Sequence, residues 1–449
     1  MKAFLRRNIV EPAWAKFWSK TPMLKYHKKL EATQWLSEDE LRKQQWSKLK
    51  NLLKYVYENN IFYKEKFDKA GISYQNIETL EDMKKIPMTT KLEIKNNYDR
   101  IISNGYRKDT LLRTKTGGST GTALELFRTQ KTMQLKQACT RRSDMWSGWK
   151  PGETIGSIWG NPEHPSTLKE HFRNLFISPY IYLDTMKMNK ESVIEFSKKW
   201  ERKKVSALFG HSHSIYLLAK FVKELKIDKI KPKNIISTSM MLMPYERQLI
   251  ENVFGVKVFD RYGCEEVSLI ASQCDQHDGM HINIEHLLVE FIKPDGSDAK
   301  PGEEGGIVVT DLLNTAMPMV RYKVEDIGVP SNKKCECGRG LPLMEKVVGR
   351  TADFLVHSDG SLVAGVSLIE RTLTAIKGLV QMQIIQETCD KITLKIVEDS
   401  SFNEQSRKEL FSEFKKVFGD DLILTIKSVN TIPQERSGKY RFSITKVNQ

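Results

Sequence analysis

Apolar positions divide the chain into segments of different period. Over residues 37–71, Leu41, Trp46, Leu49, Leu52, Leu53 and Val56 recur at helical spacing, with Ser37 placed to cap the start and Gly71 to end it. The spacing predicts a mostly helical stretch there, and another over 129–147. Short apolar runs at 154–159, 207–210 and 234–239 read as buried strands. Helical patterns at 191–202 and 214–226 separate them, and such alternation predicts an α/β sheet with helices on its faces. Residues 287–292 and 307–310 read as strands around the turn-rich stretch KPDGSDAKPGEEGG. Beyond Gly349–Phe354 the pattern changes. Residues 380–386 and 391–397 read as a strand pair, 402–418 as a helix and 422–427 as a further strand. The expected fold is α/β: a large multi-layer N-terminal domain, 1–349, and a small α+β domain, 350–449. No internal repeat or low-complexity stretch interrupts this division.

Composition narrows the class. Among 449 residues, 40% are hydrophobic and 28% charged, as in soluble globular proteins. No apolar run reaches the ~20 residues that span a bilayer, and the first residues lack the apolar core of a signal peptide. Six cysteines in so long a chain are no disulfide framework. Reduced thiols and a cytoplasmic location are expected. The net charge of +15 is uneven, with 13 Lys/Arg against 6 Asp/Glu in residues 1–60, alongside Trp14, Trp18, Trp35 and Trp46. Basic residues interleaved with aromatics suit weak contact with an anionic membrane surface or nucleic acid. No zinc-finger spacing, RNP-like stretch or heptad array accompanies them, so no nucleic-acid partner is expected. The basic helical arm, about residues 1–70, is read as solvated, with its aromatics packed on the body.

Candidate chemistry begins at Thr114–Thr122, TKTGGSTGT. Glycines let several N–H groups point at one spot, hydroxyls add donors, and Lys115 adds charge, a combination suited to a polyphosphate. It is not a Walker A sequence. Asp260-Arg261-Tyr262-Gly263-Cys264-Glu265-Glu266 follows an apolar run and can present an aromatic face for a base and a carboxylate for Mg²⁺. Thr310-Asp311-Leu312 and Pro318–Asp326 bring carboxylates able to accept from ribose hydroxyls. Gly349-Arg350-Thr351-Ala352-Asp353 offers an Arg for phosphate and a hinge, and Ser437-Gly438-Lys439 a mobile Lys.

The order and spacing of these five landmarks resemble the adenylate-forming superfamily of acyl-CoA synthetases, adenylation domains and luciferases. Within it they resemble the phenylacetate–CoA ligase branch and its CapK-like proteins of capsule polysaccharide biosynthesis. The resemblance implies that Thr116, Gly117, Gly118, Ser119, Thr120, Gly121 and Thr122 hold the phosphates of ATP. It implies that Ser239, Met240, Tyr262 and Gly263 lie at the adenine, that Glu266 holds Mg²⁺ and that Asp326 binds ribose. Arg350 would contact phosphate, Asp353 would be the hinge of a mobile C-terminal domain, and Lys439 would steady the carboxylate and α-phosphate during adenylation, with Thr120 among the catalytic groups. Two positions depart from the pattern. Glu265 stands where a hydroxyl is usual, and Met240 where relatives often carry an acid. Trp159, His211 and His213 are expected at the wall of the acid pocket. The implied activity is activation of a carboxylic acid to an acyl-AMP and transfer to CoA. The alternatives are an amine acceptor on a sugar or amino acid, and a non-catalytic nucleotide-binding scaffold. A homodimer is plausible by analogy.

Cys335-Glu336-Cys337-Gly338 forms a short two-thiol knuckle, and Cys274 through His281 adds a thiol and two imidazoles. Cys₃His is an ordinary tetrahedral zinc set, and some phenylacetate–CoA ligase-like proteins carry one. The expected ligands are Cys274, His281, Cys335 and Cys337, with His281 preferred over His277 because the Gly279 turn can fold it back on Cys274. Cys264 is read as a site-wall residue, and Cys139 and Cys389 as singly packed thiols.

Overall fold

The computed structural model describes residues 2–116, 124–160, 167–242, 244–348, 354–360, 362–432 and 443–447. The expected helix over 37–71 forms as two, Glu38–Asn59 and Ile61–Lys69. Ser37 and Glu40 close a capping box at the start. The break falls at Asn60, whose backbone is extended. Its side-chain oxygen accepts from the Tyr63 N–H, while its amide donates to the Ile101 carbonyl and the Ser103 hydroxyl. A short amide side chain offers the backbone an alternative to the helix, and the chain turns there. The apolar stripe behaves as its spacing predicts: Leu41, Leu49, Leu52, Leu53 and Val56 are buried, packed with Ile270, Leu287 and Val309 of the central sheet.

That sheet has eleven strands among the described residues. In spatial order they are Leu287–Ile292, Gly305–Asp311, Tyr322–Pro330, Leu343–Val347, Met280–Ile282, Ser268–Ser272, Val258–Cys264, Asn234–Thr238, Ala207–His211, Ile155–Trp159 and Tyr180–Asp184. The last five run parallel, connected by helices that include Lys190–Lys203, Ser212–Glu224 and Pro244–Phe254. The rest run antiparallel. Val258–Cys264 is the seam. Its first residues pair parallel with Asn234–Thr238, and Arg261–Cys264 pair antiparallel with Ser268–Ser272 across a register shift at Tyr262–Gly263. A Cβ on Gly263 would sit 2.6 Å from the Ser268 carbonyl oxygen, so the seam requires glycine there.

After residue 354 the chain builds a separate core, with Leu368, Met382, Leu394 and Phe414 fully buried. Its four-stranded sheet runs Ile423–Ser428, Lys391–Glu398, Leu379–Thr388, Ser443–Thr445, covered by Gly365–Ala375 and Glu404–Phe418. Both parallel and antiparallel pairs occur, giving the expected α+β character.

Candidate active site

The glycine-rich stretch connects two strands of a hairpin, Leu112–Lys115 and Glu125–Arg128. Its mouth is pinned by two bonds. The Thr116 N–H donates to the Leu124 carbonyl at 2.9 Å, and the Leu124 N–H donates to the Thr116 hydroxyl at 2.8 Å. Gly117, Gly118, Ser119, Thr120, Gly121 and Thr122 lie outside the described residues, as do Arg350, Asp353 and Lys439. Arg128, at the hairpin's end, donates to the Thr114 hydroxyl and to the Glu265 carboxylate, both at 2.7 Å. It thereby fastens the hairpin to the seam of the sheet. Glu265, the residue standing in a hydroxyl position, is thus held by a guanidinium.

Beyond the seam, Glu266 is buried. The Tyr322 hydroxyl donates to its carboxylate at 3.0 Å and the Lys91 ammonium lies 3.8 Å away. Burial works against its charge, but Lys91, a backbone N–H and Tyr322 offset this, and Glu266 titrates below the ordinary carboxylate range. It is therefore an anionic oxygen donor at neutral pH. Lys91 reaches it because Thr90 and Glu93 cap the helix Lys91–Asn96. The preceding Thr89 pairs with the strand at Tyr322: its N–H donates to the Arg321 carbonyl, and its own carbonyl accepts from Lys323. The Tyr262 hydroxyl donates to Asp326 at 2.9 Å, bringing the expected adenine and ribose positions side by side.

Other parts of the Pro318–Asp326 landmark serve the fold. Arg321 is buried on Glu290 and on the carbonyls of Lys84 and Ile86. Asp311 is fully buried against the Lys136 ammonium at 2.6 Å, and so does not face a ligand.

The carboxyl ends of the parallel strands carry Trp159, His211 and, just past Thr238, Ser239 and Met240. In open α/β sheets this edge is where ligands bind. Trp159 packs against Phe209 and His211, with ring centroids 5.7 and 3.8 Å apart. Burial lowers His211 to about 4, so it is neutral. His213, in the first turn of the helix Ser212–Glu224, is bonded through Nδ1 to Glu246 at 2.7 Å, both buried. Ser239 has a left-handed backbone, φ 67°, and the Met240 carbonyl is held by the Ser212 hydroxyl.

The four expected metal ligands converge. One donor atom each from Cys274, His281, Cys335 and Cys337 lies within 4.8 Å of the others. Cys274 and Cys335 sulfurs are 3.5 Å apart, and the Cys337 sulfur is 3.2 Å from His281 Nε2. His281 Nδ1 bonds the Leu341 carbonyl at 2.8 Å, which turns the other ring nitrogen toward the thiols. His277 instead packs its ring against Phe259. The donor set and spacing fit a tetrahedral zinc ion.

Sequence reasoning passed over Lys91 and Arg128. The Thr90–Glu93 capping pattern was a signal for a helix start near Lys91. Arg128 had none, because its partner Glu265 is 137 positions away.

Known proteins match both parts of the chain. The CapK C-terminal domain model matches residues 355–446. A phenylacetate-coenzyme A ligase of Thermus thermophilus is 25% identical over 395 residues, covering 84% of this chain and 86% of that protein. One from Escherichia coli is 25% identical over 341 residues, covering 73% and 75%. The crystal structure of 2-hydroxyisobutyryl-CoA ligase with 2-HIB-AMP and CoA, in the thioesterification state, superposes with a TM-score of 0.64 at 18% identity, covering 92% of this chain and 91% of that one. An open conformation of the same ligase gives 0.59 at 18% identity, covering 89% and 90%. At that identity the superpositions speak for the fold alone. The chain is thus similar in sequence to phenylacetate–CoA ligases over most of its length, matches the CapK C-terminal domain over residues 355–446, and shares the fold of an acyl-CoA ligase.

Proposed function

We propose that this protein is an AMP-forming ligase: it activates a carboxylic acid with ATP to an acyl adenylate and passes the acyl group to CoA. One observation carries the reading. The pinned hairpin of the glycine-rich stretch, the Tyr262–Asp326 pair and the ionised Glu266 are joined at the seam of one sheet, through Arg128 and Tyr322. The curated relatives are named as ligases that join an acid, phenylacetate, to coenzyme A.

A carboxylate is a poor electrophile. In the first step its oxygen attacks the α-phosphorus of ATP and pyrophosphate leaves. Tyr262 flanks the adenine, with Ser239 and Met240 nearby, Asp326 accepts from the ribose, and residues 116–122 hold the phosphates. Arg350 and Lys439 offset charge that develops on phosphorus. Glu266 would hold Mg²⁺, which supplies charge neutralisation; one carboxylate with substrate phosphates is its usual company. Trp159 and His211 border the acid, with His213 behind them. In the second step the thiol of CoA attacks the acyl carbon and AMP leaves. Lys439 must withdraw between the steps, and a domain 350–449 turning at Asp353 would achieve this. Cys274, His281, Cys335 and Cys337 would hold a structural zinc outside the chemistry. The reaction is assigned to the cytoplasm, where these thiols stay reduced.

Pyrophosphate release across a panel of acids tests the reading. Acid-dependent release is expected, followed by a thioester mass when CoA is added. An amide mass with an amine in place of CoA would move the acceptor to the polysaccharide alternative. No release with any acid would leave the scaffold reading, and release that ignores the acid would contradict acid activation.

A further inference from the structure

Residues 2–19 form a continuous helical arm whose stretches Arg6–Val10 and Trp14–Ser19 are π-wound. In such winding, residues five apart lie one above the other. Phe4, Ile9 and Trp14 follow that spacing. The arm is moored to the body on its other side. Arg6 donates to the carbonyls of Gly152 and Leu175. Glu11 is buried and paired with Arg141. The outer side is apolar and bare: Phe17 is 73% and Trp18 68% exposed.

A second element continues this surface. Trp18 stacks on Trp14, Trp14 stacks on Phe172, and Phe172 packs on Phe176, with centroids 5.3, 5.2 and 4.7 Å apart. Phe172 and Phe176 belong to the helix Leu168–Phe176, where Leu168 is 90% exposed. The exposed charge around this ladder is basic. In residues 2–20 and 167–177 the exposed acid–base side chains other than histidine are Lys2, Lys16, Lys20, Lys169 and Arg173. Glu170 is half-buried and accepts from the Thr167 N–H at its helix start, so five exposed cations stand beside one partly covered acid.

We infer that this aromatic and basic face is a docking surface for an anionic lipid bilayer. Contiguous exposed apolar surface on a soluble chain marks an interaction site. Its aromatic and aliphatic side chains suit the boundary between headgroups and acyl chains, and its cations suit anionic headgroups. A second copy of the chain would bring five cations against five. A nucleic acid would satisfy the cations and leave Leu168 and Ile9 in water. No helix among the described residues is long and apolar enough to cross a membrane, so the contact is interfacial.

The test is co-sedimentation of the full chain with vesicles of phosphatidylcholine, with and without phosphatidylglycerol. Binding is expected with phosphatidylglycerol and is released by salt. Phe17→Ser with Trp18→Ser weakens it about ten-fold or more, as expected for losing two large apolar insertions. Lys16→Gln and Lys20→Gln each weaken it about five-fold. Neither set moves the thermal midpoint appreciably, because Lys16, Phe17 and Lys20 are exposed and Trp18 gives up only its stack on Trp14. The inference is overturned if the wild type stays in the supernatant, or if neutral vesicles bind it equally. It is also overturned if the double Ser variant binds as the wild type does, or if light scattering shows a Phe17-dependent dimer or nucleic-acid complex in place of vesicle binding.

Discussion

Arg128 and Arg142 show how differently two buried guanidiniums serve this chain. Arg142 is fully buried, donating to Glu285 and Asn283 at 2.6 Å each, over the face of Trp146. Removing one partner of such a pair strands the other charge. Arg142→Ala should cost about 3–5 kcal/mol in urea unfolding, with little change in catalysis per folded molecule. Arg128 is buried too, but its partner Glu265 is half-exposed and stays solvated when the pair is broken. Arg128→Ala should raise the KM for ATP while lowering stability by only about 1 kcal/mol. Adding Glu265→Thr should restore part of the ATP affinity, because it removes the stranded carboxylate and returns a hydroxyl. An unchanged KM in Arg128→Ala would contradict this account of the pair. Residues of this kind were illegible in the sequence. Tyr262, Glu266 and Asp326 stood in short motifs, whereas Arg128 and Lys91 acquire meaning only from pairings across the fold.

At the scale of elements, the parallel half of the sheet was readable because its strands are apolar runs between helical periods. The strand Tyr180–Asp184 alternates buried and half-buried positions and was missed, as was the helix Leu168–Phe176, whose apolar side faces outward. The antiparallel half was read only in part, because Met280–Ile282 and Leu343–Val347 are short and depend on each other for pairing. The seam strand carries a sharp expectation. Gly263→Ala must displace the Ser268 carbonyl, so it should lower the unfolding midpoint and reduce ATP turnover together, measured by calorimetry and AMP formation. The cysteine loops carry another. Elemental analysis should find about one zinc per chain, and Cys337→Ser should lose it and unfold at lower temperature.

At the scale of the whole molecule, buried histidines set the response to acid. Burial lowers His27 and His211 to about 4 and His286 well below its ordinary value. Between about pH 4 and 6.5 the unfolded chain therefore binds protons that the native chain refuses, so stability falls as pH falls through that window. Asp260 acts in the opposite sense. Burial raises it to about 6, so the native state holds a proton the unfolded chain has lost, and stability falls as pH rises between about 4 and 6. Glu31, Asp144 and Glu290 are raised by burial as well, but His213 and His357 join the lowered histidines. Carboxylates that their partners hold low despite burial, such as Glu93 and Glu251, also lose their stabilising effect as pH falls. The urea midpoint should drop from about pH 7 to about pH 5, and His211→Asn should flatten that slope.

The two-part organisation was also legible in outline, since the apolar pattern changes near the boundary and the C-terminal core closes on itself. The proposed swing of one part on the other is a chemical argument. It rests on the proposal that Lys439 would be needed for adenylation and not for transfer. Lys439→Ala should therefore slow acyl-AMP formation by orders of magnitude and leave ATP affinity within a few-fold.

The most direct measurement follows an oxygen atom. Given an accepted acid labelled with ¹⁸O in its carboxylate, together with ATP and CoA, the protein should release AMP carrying one ¹⁸O, because the attacking carboxylate oxygen stays on the α-phosphorus when the thiol takes the acyl group. Label-free AMP, or label in inorganic phosphate beside ADP, would contradict adenylate formation.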